Sequence, residues 1–438
     1  MGHLGDLKEE YRALVERLDA APVGLPEPTN VAARKGWQEI LEILYTPEEA
    51  ALASRLPTRP ADLKKLSERL GMPPEPLKAK LDAMCDKGIV MDLVSRKGGK
   101  TYYFLSPPVV GFFEFSLMRL NDSKIPQKRL AQAMDAYLHG DEAFASQIFG
   151  GDTVIGRALV HETALDESSL PEVLDWEKAA AVLKKAKSLA VSHCYCRHKN
   201  QHLGKACDAP TENCLSLNAG ADFVVRRKFG RAIDKEEALK ILDASRSAGL
   251  VQIADNVMSR PTYICNCCGC CCGQLRAVNE FGYAAVNPSG FIASCDPNIC
   301  TGCGRCARAC PIAAVGMTAS RKNAERKNSL RAVVDAERCL GCGVCADACG
   351  KDAMRMARRA KQPKVPANML ERMLRMAMER GKLPDLLLDA GESRGHRFLL
   401  GALKILSRLP LADKALASEQ MKSRFLAAAL SRVKDPTE

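Results

Sequence analysis

Two cysteine runs carry the clearest chemistry in the chain: Cys300-x2-Cys303-x2-Cys306-x3-Cys310-Pro311 and Cys339-x2-Cys342-x2-Cys345-x3-Cys349. They are near copies in order and spacing. An iron–sulfur cubane takes four thiolates. A loop with two-residue gaps can wind round the cube and reach three of its corners, with backbone N–H groups facing the sulfurs. The fourth thiolate has to come from elsewhere. Zinc sites use two separated ligand pairs instead, so the runs point to one-electron chemistry.

A second group is Cys194-x-Cys196, Cys207 and Cys214, interleaved with His193, His198 and His202. The third is Cys265, Cys267, Cys268, Cys270, Cys271 and Cys272. If this segment were extended throughout, Cys265, Cys267 and Cys271 would share one face, and Cys268, Cys270 and Cys272 the other. Six crowded thiols exceed what one cubane can bind. The expectation is at least one further iron–sulfur cluster, cubane or non-cubane, ligated jointly by the second and third groups. The bland alternatives are buried unligated thiols and solvated or hydrogen-bonded histidines.

The paired runs resemble the bacterial ferredoxin family, in which the fourth cysteine of each run serves the other cluster. The resemblance implies two [4Fe-4S] clusters: Cys300, Cys303, Cys306 and Cys349 on one, and Cys339, Cys342, Cys345 and Cys310 on the other. Two departures stand out. Gly350 replaces the second proline, and the 28 residues from Pro311 to Arg338 make a long connection. The basic stretch Arg321 to Arg331 lies there and reads as a partner-docking loop. The segments His193-Cys194-Tyr195-Cys196 and Cys267-Cys268-Gly269-Cys270-Cys271-Cys272 also resemble multi-cluster iron–sulfur proteins of anaerobic microbes, which implies a class and no reaction.

Composition agrees with metal ligation. Twenty cysteines in 438 residues are too many for a cytoplasmic core. A secreted disulfide scaffold of this length would call for a signal peptide, whereas Met1 to Glu10 is polar and acidic. The expected location is cytoplasmic. The formal net charge of +12 is concentrated in Arg321, Lys322, Arg326, Lys327 and Arg331, then Lys351, Arg355, Arg358, Arg359, Lys361 and Lys364. Such runs suit an acidic redox partner, anionic lipid or nucleic acid, or a merely solvated face.

The elements positioning these residues suggest a multidomain α+β chain. The expected parts are a winged helix-turn-helix domain (1–120), a cysteine-rich α/β domain (121–290), a dicluster ferredoxin fold (291–362) and a helical C-terminal tail (363–438). The first rests on a periodic stretch near Glu48 to Leu56, helices Pro60 to Leu70 and Pro74 to Lys87, and strands Ile89 to Leu93 and Thr101 to Leu105. In the centre, Ser188 to Ser192 reads as a strand and Ala221 to Phe229 as a helix. Asp234 and Glu237 form a capping-box-like start to a helix that Gly249 stops, with a strand over Leu250 to Ala254. Met369, Met373 and Met376 repeat at helical spacing in the tail.

Other motifs fail on context. Gly302-x-Gly304-x-x-Ala307 and Gly341-x-Gly343-x-x-Ala346 match a relaxed dinucleotide fingerprint but lie inside the cysteine loops. Gly99-Lys100-Thr101 sits in a hairpin. The candidate recognition helix Pro74 to Lys87 balances Glu75, Asp82 and Asp86 against Lys78, Lys80 and Lys87, and offers no Arg, Asn or Gln to base edges. Arg96, Lys97 and Lys100 at the wing tip suit phosphates only. A nucleic-acid partner is therefore not expected, although a redox-sensing DNA-binding regulator is the alternative class. Apolar stretches Phe398 to Leu409 and Phe425 to Leu430 suit a membrane surface, with packing on their own domain preferred. The function expected is electron transfer with redox partner proteins in an anaerobic system. The alternative is an oxidoreductase with its catalytic cluster in the cysteine-rich domain.

Overall fold

The computed structural model describes residues 7–96, 98–165, 173–319 and 330–387. Two compact units result, Met1–Thr153 with Met369–Glu438, and Val154–Asn368. The stretches Phe398 to Leu409 and Phe425 to Leu430, together with Lys97, Arg321, Lys322, Arg326 and Lys327, lie outside the described residues. Among the described residues no helix is long and apolar enough to cross a membrane.

In the first unit the Asp62 carboxylate accepts the Lys65 N–H at 2.9 Å. That cap starts the helix at Leu63, not Pro60, and it runs to Leu70. Ala61–Asp62 becomes strand β1 instead. The next helix is Pro74–Lys87, burying Leu77, Leu81, Met84 and Cys85. Strands β2 (Val90–Val94) and β3 (Thr101–Leu105) follow, in the antiparallel order β1-β3-β2. Helices Glu9–Asp19, Val31–Leu44 and Gln127–Gly140 were not marked by the pattern reading. Helix Met369–Glu379 buries Leu374 and Met376.

The second unit is built on a seven-stranded sheet of β4 (Gly156–Ala158), β5 (Leu189–His193), β6 (Glu212–Leu217), β7 (Arg231–Ala232), β8 (Val251–Asp255), β9 (Tyr263–Cys267) and β10 (Val286–Asn287). Its order is β10-β4-β8-β9-β6-β5-β7. Only the β10–β4 pair is parallel. Leu159, Leu183, Val191, Leu215, Leu242 and Ile264 share one core cluster. Helix Lys235–Ser247 starts where Asp234 accepts the Glu237 N–H at 2.8 Å. Glu237 does not reciprocate, because its carboxylate pairs with Arg231 at 2.6 Å. The cap is thus one-sided.

Register gathers the central cysteines at one end of this sheet. Ser192 faces Cys214 across β5 and β6, and Leu215 faces Ile264 across β6 and β9. The C-terminal ends of β5 and β9 and the start of β6 therefore lie side by side. Helices Tyr195–His202 and Gly273–Glu280 leave from that end, with Cys194 and Cys272 at their N-caps.

The remaining strands are β11 (Phe291–Cys295), β12 (Val315–Ala319), β13 (Leu330–Val334) and β14 (Met354–Arg358). They form two antiparallel ladders, β11–β14 and β12–β13. Each cysteine run winds into one short helix, Arg305–Ala309 or Val344–Asp347. The two halves repeat one plan.

Candidate metal centres

The glycines inside the two runs explain why those loops mimic a dinucleotide fingerprint. Gly302, Gly304, Gly341 and Gly343 all have positive φ, between +69° and +92°. Only glycine adopts this region without strain, and the loops need it to curl their cysteines inward. At Gly341 an added Cβ would also lie 2.0 Å from the Phe291 carbonyl. We expect Gly341→Ala to lose most of about four irons, while Gly316→Ala, in open space, keeps a full complement on iron analysis.

The last cysteine of each run lies among the thiols of the other. Cys349 interacts with Cys306, and Cys310 with Cys342 and Cys345. Cys310, Cys339, Cys342 and Cys345 line one cavity whose other walls are apolar, among them Ile312 and Leu340. Its polar features suit a cubane: the Ala314 N–H points at Cys310 Sγ over 3.2 Å. Burial pushes the Cys342 thiol up to about 12 and raises Cys345 further. Four thiols gathered in one apolar cavity have little structural use unless a metal binds them.

The halves differ in exposure. Cys303 is exposed, whereas Cys339 and Cys345 are buried. Arg305, Arg308, Lys351 and Arg355 are exposed beside the first run and Cys349. Arg358 and Arg359 are used internally. Arg358 pairs with Glu177 at 3.1 Å and covers the Phe291 ring, and Arg359 donates to the Cys339 carbonyl.

The ten central cysteines separate into two groups. Cys207, Cys268, Cys270 and Cys271 place their sulfurs within 4.8 Å of one another, close enough to hold a metal ion. Cys207 and Cys268 are 3.6 Å apart, as are Cys270 and Cys271. The hydrogen bond from Cys271 and the facing Arg197 outweigh burial and bring the Cys268 thiol down to about 4. Burial and the neighbouring Cys268 push Cys270 up to about 11. In the other group, thiol contacts run from Cys194 to Cys196, Cys272, Cys267, Cys265 and Cys214.

This partition corrects the strand-alternation reading. Strand β9 ends at Cys267, and the chain turns through Gly269–Cys271 before the next helix. The turn moves Cys271 to the Cys268 and Cys270 side and returns Cys272 to Cys267. Gly269 permits it by close approach: an added Cβ would lie 2.2 Å from the Pro311 carbonyl. The four-thiol site is therefore seated on the residue that follows Cys310.

The histidines do not enter the four-sulfur group. His198 and His202 stack with ring centroids 4.6 Å apart, and burial lowers the pKa of His193. Sequence reasoning missed His161 and Arg197. His161 has a fully buried side chain. Its Nδ1 faces Asp347 at 2.8 Å, its Nε2 the Leu250 carbonyl at 3.1 Å, and its backbone N–H donates to the Cys342 carbonyl. Arg197 follows Cys196 directly, but nothing local signals that it is buried. Cys295 was counted without a place and lies against Cys300; burial and that neighbour push it up to about 12.

Residues 299–353 match the family model described as a 4Fe-4S dicluster domain. This is an iron–sulfur redox protein. Its ferredoxin-like dicluster domain shares the second unit with the ten-thiol region. No curated protein and no solved structure matches the chain.

Proposed function

We propose that this iron–sulfur protein is a multi-cluster electron carrier of an anaerobic cytoplasmic redox system. In this reading Cys300, Cys303, Cys306 and Cys349 hold one [4Fe-4S] cluster, and Cys339, Cys342, Cys345 and Cys310 the other. Cys207, Cys268, Cys270 and Cys271 hold a third cluster. When bound, each cluster supplies one-electron carriage. The protein's part is to hold the thiolates in register, aim N–H groups at sulfur and keep water from the inner sites. What supports the reading is the close approach of Gly269, between Cys268 and Cys270, to the carbonyl of Pro311, which follows Cys310. Iron analysis and EPR test it: Cys207→Ser with Cys268→Ser should remove about four irons and one signal, leaving both ferredoxin signals. Unchanged iron would defeat the third site.

The exposed, basic half around Cys303 is the port for a partner, and acidic surface is the matching chemistry. Reversing charge at Lys351 and Arg355 should slow reduction by an acidic donor about tenfold at low ionic strength, less in high salt. Stopped-flow rates at two salt concentrations check this.

We read the helices and hairpin of residues 61–105 as a winged helix used for protein contacts. What supports this is the pairing of four of its lysines with carboxylates: Lys78 with Asp82, Lys80 with Glu48, Lys87 with Glu49 and Lys100 with Asp62. These four lysines are less available to phosphates. Gel shifts with genomic fragments should show no salt-resistant complex; such a complex would favour a DNA-binding regulator.

A further inference from the structure

The six thiols outside the four-sulfur group form a continuous path. Cys194 and Cys196 stand at the start of helix Tyr195–His202, Cys272 caps Gly273–Glu280, and Cys214, Cys265 and Cys267 lie on β6 and β9. Cys196, Cys214, Cys267 and Cys272 are buried, the other two partly so. The Gly273 and Leu275 N–H groups point at the Cys196 and Cys272 sulfurs. Oriented N–H groups of this kind favour negative charge on sulfur.

Arg197 is an independent sign that anionic sulfur belongs here. It is 0 % exposed. Its guanidinium donates to the Pro210 and Asn266 carbonyls and, at 2.9 Å, to Asn213 Oδ1, none of them charged. Its Nε has no hydrogen-bond partner. A guanidinium stays protonated, and burying it without an opposite charge is strongly unfavourable. The facing groups able to carry negative charge are Cys194 and Cys267 of the six-thiol path and Cys268 of the four-thiol site. Cys268 faces the cation from the four-thiol side, and thiolates held on metal by the six-thiol path would face it from the other.

The number of thiols limits what the centre can be. A cubane offers four corners, fewer than the six sulfurs that follow one another by contact. We propose that Cys194, Cys196, Cys214, Cys265, Cys267 and Cys272 ligate a second central iron–sulfide centre, larger than a cubane, distinct from the four-thiol site and facing it across Arg197. The proposal extends the electron-carrier reading but does not depend on the four-thiol site being filled.

The test uses the full chain prepared anaerobically, with iron, zinc and acid-labile sulfide counted and Mössbauer spectra recorded. Three cubanes account for about twelve irons, so the wild type should exceed that number. Cys194→Ser with Cys272→Ser should remove the excess while both ferredoxin EPR signals persist. Cys207→Ser with Cys268→Ser should leave the excess in place. The inference is overturned by a wild type holding about twelve irons or fewer, by iron unchanged in the Cys194/Cys272 variant, or by zinc without sulfide. Should that variant fail to fold, the wild-type Mössbauer spectrum decides: iron only of cubane type overturns the proposal, and a further component upholds it. A count of about twelve defeats this centre alone, whereas loss of the four-thiol cluster's signal from the wild type would defeat the third site of the carrier reading.

Discussion

Cys349→Ser is expected to abolish the cluster of the first cysteine run and spare that of the second, although Cys349 lies in the second. The basis is the crossed placement, with Cys349 against Cys306 and Cys310 inside the cavity formed by Cys339, Cys342 and Cys345. About four of the irons and one EPR signal should disappear, and Cys310→Ser should remove the complementary signal. The two variants are told apart by exposure. Cys303 is exposed and Cys345 buried, so the cluster left in Cys310→Ser should react faster with a hydrophilic oxidant than the one left in Cys349→Ser. Loss of the same signal from both variants would mean that the ligands are not crossed.

Arg197→Met carries the second large effect. A unit charge a few ångström from a thiolate site, through an effective dielectric of about 20, is worth about 2–4 kcal/mol. For one electron that corresponds to on the order of 100 mV. Removing the cation disfavours the more reduced, more negative state, so the central potentials should fall by about that amount. Arg197→Lys should recover part of the shift, since it keeps the charge but cannot make the same three donations to Pro210, Asn213 and Asn266. Potentials unchanged in both variants, with iron content intact, would show that Arg197 faces no anionic centre.

What the sequence made legible follows from the range of the interactions involved. Two-residue gaps between cysteines are a local constraint set by the cluster's own size, so the two runs could be read directly. The helix Pro74–Lys87 was likewise fixed by its apolar spacing and by Gly88. Starts set by a side chain were less visible: Asp62 moved one helix start from Pro60 to Leu63, and Glu237 turned to Arg231 instead of closing the capping box. The division of the ten central thiols depends on a turn at Gly269–Cys271 and on a carbonyl from Pro311, about forty residues away in sequence. No period-two pattern can announce such a turn. Arg197 and His161 were missed for the same reason, because their partners come from β9, the 203–211 loop and the dicluster segment.

The region between Cys194 and Cys272 therefore changes the meaning of the dicluster domain. The inner ferredoxin site lies against a four-thiol site, and Arg197 faces both that site and the six-thiol path. The outer half presents an exposed cysteine and a basic rim. In the proposed carrier the exposed rim is the outer port and the buried thiols are the inner terminus.

The most direct test of this account is an EPR-monitored redox titration of the full anaerobic protein, with iron and sulfide counted on the same sample. The account predicts the two interacting ferredoxin signals, at least one further signal with its own midpoint potential, and iron at or above about twelve atoms per chain. Two cubane signals and about eight irons would contradict it, and would leave the ten central cysteines without a redox role.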